Sequence, residues 1–156
     1  MSITKTAISS VDGIGVFTRD HRNQLEEAEQ RDTDGLTTFR SKQTWRAVDN
    51  ALNWRDDDIV VYHCPIDEKK IHYVSVIDDL LINPEEGSEE VKRFLKTDLE
   101  SNSDDGLWGG EVDTFYRVKQ FQRVEEPFSY TKLRKIADGE HIESNYRYSY
   151  SIVHQV

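Results

Sequence analysis

The chain has one cysteine, Cys64, so no internal disulfide can form, and a reducing cytoplasm is the expected compartment. Its first residues, MSITKTAISS, lack the apolar stretch of a secretory signal. No apolar run approaches the ~18 residues that a membrane-crossing helix requires, because charge interrupts the longest candidates within a strand length. A soluble protein without a membrane partner is expected. Internal repeats and low-complexity tracts are also absent, which argues against a repeat architecture. Positive charge is scarce: 20 Lys and Arg stand against 30 Asp and Glu, a net charge of −10 that speaks against broad attraction to nucleic acid or anionic lipid.

The average conceals an asymmetry. Residues 1–111 hold 24 acidic and 13 basic side chains, whereas residues 112–156 hold 6 and 7. The basic residues are therefore relatively concentrated in the last third. With 156 residues, the chain is long enough to bury a core without disulfide or metal staples, and one domain over residues 1–156 is expected. An acidic surface poor in lysine would also suit a salt-rich cytoplasm.

Hydrophobic patterning predicts the elements. GIGVFT, Gly13 to Thr18, reads as a first buried strand, and the polar stretch Arg19 to Gly35 as a short helix anchored by Leu25 and Ala28. Trp45, Val48 and Leu52 recur at helical spacing behind Ser41, which is expected to cap that helix. Ile59–Cys64 and Lys70–Asp78 flank the turn-forming residues Pro65, Asp67 and Glu68 and predict a hairpin. Ser88 is expected to cap a helix beginning Glu89-Glu90, with Val91, Phe94 and Leu95 inward. SNSDDG, Ser101 to Gly106, reads as a loop, and Val112–Val124 as a long strand with bends or bulges. Ser129 is expected to cap a helix over YTKLRKIA that ends at Gly139. A last strand, NYRYSYSIV, would place Tyr146, Tyr148, Tyr150 and Ile152 on one face. At least five strands with helices between them predict an α+β fold, a small mixed barrel with a helical rim.

Few residues point to chemistry. His63, Cys64 and His72 lack the four close-spaced N/S ligands of structural zinc, and adjacent strand residues point to opposite faces, so His63 and Cys64 should not share a metal or form a nucleophile–base pair. Asp56-Asp57-Asp58 and Asp78-Asp79 sit beside turns, where carboxylates usually solvate loops. Gly13-Ile14-Gly15 lacks the further glycine and the lysine of a phosphate loop. No catalytic residue, metal or cofactor is expected. The aromatics say more: Trp45 reads as core and Trp54 as half exposed. Trp108, in GLWGG, is either a stacking surface for a flat base or a ring that closes one end of the barrel.

The segment from Gly35 to Pro65, GLTTFRSKQTWRAVDNALNWRDDDIVVYHCP, resembles the EVE domain of the PUA-like superfamily, related to YTH and ASCH domains. Gly35–Phe39, the Trp45 helix, Asp57-Asp58 and Val61-Tyr62-His63-Cys64 stand at the family's motif positions. IHYVSVIDD, Trp108 with Val112, and PFSYTKLRKI follow in its order. Departures are His72 to Val76 where the family has glycines, Cys64 for its serine, Phe39 for a cage tryptophan, and a longer insertion carrying the Ser88 helix.

The resemblance implies a PUA-like module that takes one modified base of RNA or DNA into an aromatic pocket. Phe39 and Trp108 would stack on the base, and Arg40, Ser41, Tyr62 and His63 would supply polar contacts or hold the backbone. Arg117, Lys119 and Arg123 would contact phosphates, with Lys132, Arg134, Lys135 and Arg147 as further cations. Two alternatives stand beside it: a small ASCH-like enzyme acting on RNA or a nucleoside-like molecule, and an acidic protein-interaction domain.

Overall fold

A computed structural model describes residues 5–31, 35–101 and 112–156. Its centre is a six-stranded mixed sheet in the order β2-β5-β4-β3-β1-β6. The strands are β1 (Ile14–Asp20), β2 (Thr37–Ser41), β3 (Val60–Pro65), β4 (Lys70–Ile82), β5 (Thr114–Ser129) and β6 (Tyr150–His154). Among the described residues four short α-helices accompany them: α1 (Lys5–Ser10), α2 (Arg22–Gln30), α3 (Arg46–Trp54) and α4 (Glu89–Leu95). The α+β class is as expected, but the sheet does not close into a barrel. Its edges are β2 and β6. Trp45 stacks on Tyr116 of β5 at 4.2 Å and on Tyr150 of β6 at 5.0 Å. Ring packing, rather than a backbone ladder, thus links the two ends of the sheet.

β1 and β3 pair in parallel, and the β3–β4 hairpin and β4–β5 pair are antiparallel. β5 bulges as its length suggested. Val76 faces Lys119 and Val74 faces Gln122, so three residues of β5 span two of β4, and Gln120 takes a left-handed φ of 55°. The extra residue reverses the side-chain alternation. Tyr116 and Val118 before the bulge and Phe121 after it all join one core cluster. That cluster includes Val16, Leu25, Phe39, Val48, Val61 and Ile77, and α2 and α3 contribute to it. Phe17, Tyr62, Cys64, Tyr130 and Leu133 form a second cluster on the other side of β1 and β3.

Local chemistry explains most element ends. Ser88 Oγ accepts from the Val91 amide and caps α4. The cap expected at Ser41 is not one: α3 starts at Arg46, and Ser41 ends β2, where its Oγ accepts from the Gln43 amide and Trp45 Nε1. Arg55 ties α1 to the end of α3 by donating to the carbonyls of Ile8 at 2.9 Å and Val11 at 2.6 Å. The helix expected after Ser129 is only a 3-10 turn, Tyr130–Lys132. Beyond it the backbone of Leu133, Arg134 and Lys135 bonds to Ile142, His154 and Glu140, so sheet-like pairing displaces helical bonds. Gly139, φ 73°, serves that turn rather than a helix end. The last strand is shorter than its alternation suggested: its ladder with β1 runs over Tyr150–His154, with one further bond from the Arg19 amide to the Ser149 carbonyl.

Candidate functional site

Alternation along β1 and β3 sorts the polar residues by face. Thr18, Asp20 and His63 lie beneath the helices with Val16 and Val61, whereas Phe17, Tyr62 and Cys64 belong to the opposite cluster. His63 and Cys64 are thus separated as strand geometry requires. Burial pushes the Cys64 thiol up to about 12, so it is not a thiolate near neutrality. Among the described residues, no group of three or more His, Cys, Asp or Glu converges to hold a metal.

His63 has two buried partners. Nδ1 lies 2.9 Å from Asp20 Oδ2, and Nε2 lies 2.7 Å from Ser75 Oγ. The Tyr116 hydroxyl donates to the other oxygen of Asp20. Burial, reinforced by the Asp20 charge, holds the Tyr116 hydroxyl well above its ordinary value, so it stays a donor. The order Ser–His–Asp is that of a nucleophile, its base and the base's orienter. Its setting is not catalytic: His63 is 0 %, Ser75 2 % and Asp20 4 % exposed, leaving no opening for an acyl group at Oγ. The network instead joins β1, β3, β4 and β5, and satisfies every polar tip it buries.

Around it runs an aromatic column. Phe39 is stacked on Tyr116 at 5.3 Å and an interplanar angle of 10°, and lies 5.3 Å from the His63 ring. Phe121 follows at 6.0 Å and continues to Tyr73 at 5.0 Å. At the rim, the Tyr73 hydroxyl donates to Glu29 of α2 and accepts from Arg123. The Arg123 hydrogen bond is the main cause that holds the Glu29 carboxyl below its usual range.

Of the residues expected to wall a base pocket, Phe39 and His63 are together on this face. Ser41 serves it indirectly by holding the Trp45 indole at 3.1 Å. Arg40 and Tyr62 are not with them. Arg40 pairs with Asp98 and lies over Phe115, a ring of the α4 cluster, while the Tyr62 hydroxyl accepts from the Val156 amide in the second cluster. Each is one residue from Phe39 or His63 along its strand and therefore points the other way. Trp108 lies outside the described residues.

The three expected phosphate contacts do not form one stripe. Arg117 pairs with Asp78 at 2.7 Å over the Phe94 ring, whereas Arg123 pairs with Glu29 at 2.7 Å over the Tyr73 ring. The bulge at Gln120 sends them to different faces, with Lys119 on the Arg117 side. Sequence reasoning also missed an anchoring cluster. The Glu27 carboxylate accepts from the Glu100 and Ser101 amides and the Ser101 hydroxyl, and Arg31 donates to the carbonyls of Thr97 and Asp98. Downstream of residues 102–111, the Asp113 amide donates to the Ser41 carbonyl at 2.9 Å. These contacts are tertiary, so no local pattern announces them.

No protein-family model matches the chain, and no curated protein matches it. Among solved structures, it is similar to the YTH domain of the Zygosaccharomyces rouxii MRB1 protein, in complex with N6-methyladenosine RNA. The TM-score is 0.50 at 9 % sequence identity, covering 88 % of this chain and 77 % of that one. The likeness is one of fold: this chain's α+β arrangement, a six-stranded mixed sheet with a few short helices, is similar to the YTH fold.

Proposed function

We propose that the chain is a nucleic-acid-binding module that recognises a single modified base, an EVE-type reader of RNA or DNA. The observation that carries this reading is the likeness of its fold to a YTH domain in complex with N6-methyladenosine RNA. Two features of the chain support it. The aromatic column gives the sheet a rigid, preorganised backing at Phe39 and His63. The described residues on either side of 102–111 are anchored, Ser101 to Glu27 of α2 and Asp113 to the Ser41 carbonyl at the end of β2.

In this reading Trp108 stacks on the base, Phe39 and His63 back the pocket, and Ser41 acts through Trp45. Stacking and hydrogen bonds to the base edge then offset the few kcal/mol lost when a base leaves its stack. Arg40 and Tyr62 support the backbone from the far face.

The test is a binding screen of single-stranded RNA and DNA oligonucleotides, unmodified and carrying N6-methyladenine or methylated cytosine. One modified oligonucleotide should bind at least about tenfold more tightly than its unmodified form, as discrimination of a little over 1 kcal/mol at one base requires. Trp108→Ala should remove about 1 to 3 kcal/mol of that affinity, the worth of one base–aromatic stack. Absence of binding to every oligonucleotide overturns the reading.

A further inference from the structure

A cleft of about 270 Å³ opens on the side of β1 opposite the aromatic column. Arg19, Lys69, Tyr130 and Tyr146 line it, together with the carboxylates of Asp67 and Glu68. The Arg19 guanidinium lies over the rings of Phe17 at 5.6 Å and Tyr130 at 5.2 Å, and donates from Nη2 to the Tyr146 carbonyl at 3.0 Å. Its Nε is buried and has no hydrogen-bond partner.

The charge bookkeeping around Arg19 is unusual for this protein. Every other half-buried arginine among the described residues pairs with a carboxylate: Arg31 with Glu27, Arg40 with Asp98, Arg55 with Asp57 and Arg117 with Asp78. Among the described residues no carboxylate pairs with Arg19, in a chain that carries 30 acidic residues. The acidic lip of the cleft, Asp67 and Glu68, is already occupied by Arg22, and Glu68 also meets His72 at 2.9 Å. Asp67 and Glu68 balance Arg19 and Lys69 in number along the lining, but Arg22, which stands outside it, pairs with both carboxylates, so the two lining cations are not neutralised by them. A guanidinium fixed on aromatic rings, with donor capacity left over, is preorganised for a phosphate oxygen.

Beside the cleft stands a stacking surface. Tyr148 is 62 % exposed, and its ring makes an edge contact at 5.4 Å with Tyr146, which lines the cleft, so it is an exposed aromatic one ring away from it. We propose that this cleft is a second nucleotide subsite: Arg19 and Lys69 take a phosphate of single-stranded nucleic acid, and Tyr148 stacks on the adjoining base. The proposal rests on the nucleic-acid reading above but uses none of the same residues. A stacking ring beside a phosphate-binding cation is the arrangement by which single strands are held without sequence preference. The subsite would thus supply general affinity while the modified base is read elsewhere.

The experiment titrates a fluorescein-labelled single-stranded RNA nonamer and its DNA counterpart into wild type, Tyr148→Ala, Tyr148→Phe, Arg19→Gln and Trp108→Ala. Tyr148→Ala should weaken binding about tenfold and Tyr148→Phe should not, because the stack needs only the ring. Arg19→Gln should weaken binding and flatten the salt dependence by about one unit of slope. Tyr148 is exposed, so its truncation leaves the fold intact even if Arg19→Gln does not. Uridine monophosphate should displace the labelled strand at concentrations where inorganic phosphate does not. Equal displacement by the two would overturn the stacking half of the proposal. Wild-type binding that survives both Tyr148→Ala and Arg19→Gln unchanged overturns the subsite while leaving the nucleic-acid reading standing. Failure of wild type to bind either unmodified strand also overturns the subsite, and overturns the nucleic-acid reading only if the modified oligonucleotides are not bound either.

Discussion

His63 Nδ1 and Asp20 Oδ2 face each other at 2.9 Å across the parallel pair β1–β3, with both side chains buried. Removing the imidazole leaves a buried carboxylate with Tyr116 alone. His63→Ala should therefore cost about 3 to 5 kcal/mol of stability, as breaking a buried pair does. Ser75→Ala deletes only the terminal link and should cost about 1 kcal/mol. Urea unfolding of the two variants checks this order, and a His63→Ala protein as stable as wild type would remove the network's structural role.

Cys64 should resist alkylation in the native protein at neutral pH, since its thiol ionises only near 12. An acid whose folded value is raised keeps its proton when the unfolded chain would lose it. Stability should fall as pH rises above about 9, where the unfolded chain sheds the proton, by up to about 1.4 kcal/mol per pH unit from this group. Iodoacetamide labelling during urea titration should track global unfolding, and rapid labelling without denaturant would contradict the burial.

Gly15 lies against the Tyr62 ring, and a Cβ there would stand 2.6 Å from Cε2. Tyr62 cannot retreat easily because its hydroxyl accepts from the Val156 amide at 3.0 Å. Gly15→Ala should destabilise by about 1 to 3 kcal/mol through overpacking. The double variant Gly15→Ala/Tyr62→Leu should recover part of the loss in thermal melts.

Glu68 is held below its ordinary range first by its hydrogen bond to Arg22 and then by His72. A depressed carboxyl contributes stability that is present above its unfolded value and lost as pH falls through the folded one. Acid should therefore weaken the β3–β4 turn below about pH 4.5, the usual carboxylate range. Glu68→Gln should show a smaller drop in melting temperature between about pH 6 and pH 3 than wild type.

What could be read from the sequence follows locality. The Ser88 cap and the β3–β4 hairpin are written within a few neighbouring residues, and both formed as expected. The opposite faces of His63 and Cys64 follow from strand geometry alone. Whether the sheet closes was not legible, because strand content says nothing about which edges meet, and the sheet stays open between β2 and β6. Leu133 and Ile136 have helical spacing, yet carbonyls and amides from residues 140–154 claim their backbone. Phe39 illustrates the limit at the site: an inward aromatic on β2 has the same sequence pattern whether it walls a pocket or packs on Tyr116. Asp20 and Ser75, the partners of His63, come from other strands and carry no local mark.

β1 lies between β3 and β6, and Val16 pairs with Val61 on one side and Ile152 on the other. A growing chain therefore presents β1 as an open edge until nearly all the described residues have been made. The parallel pairing with β3 needs a crossover through α2, β2 and α3, and the second partner arrives last. Such long-range pairing is slow to form and leaves an unpaired apolar ladder available to neighbouring chains. Folding yield, more than final stability, is where changes in β6 should be felt first.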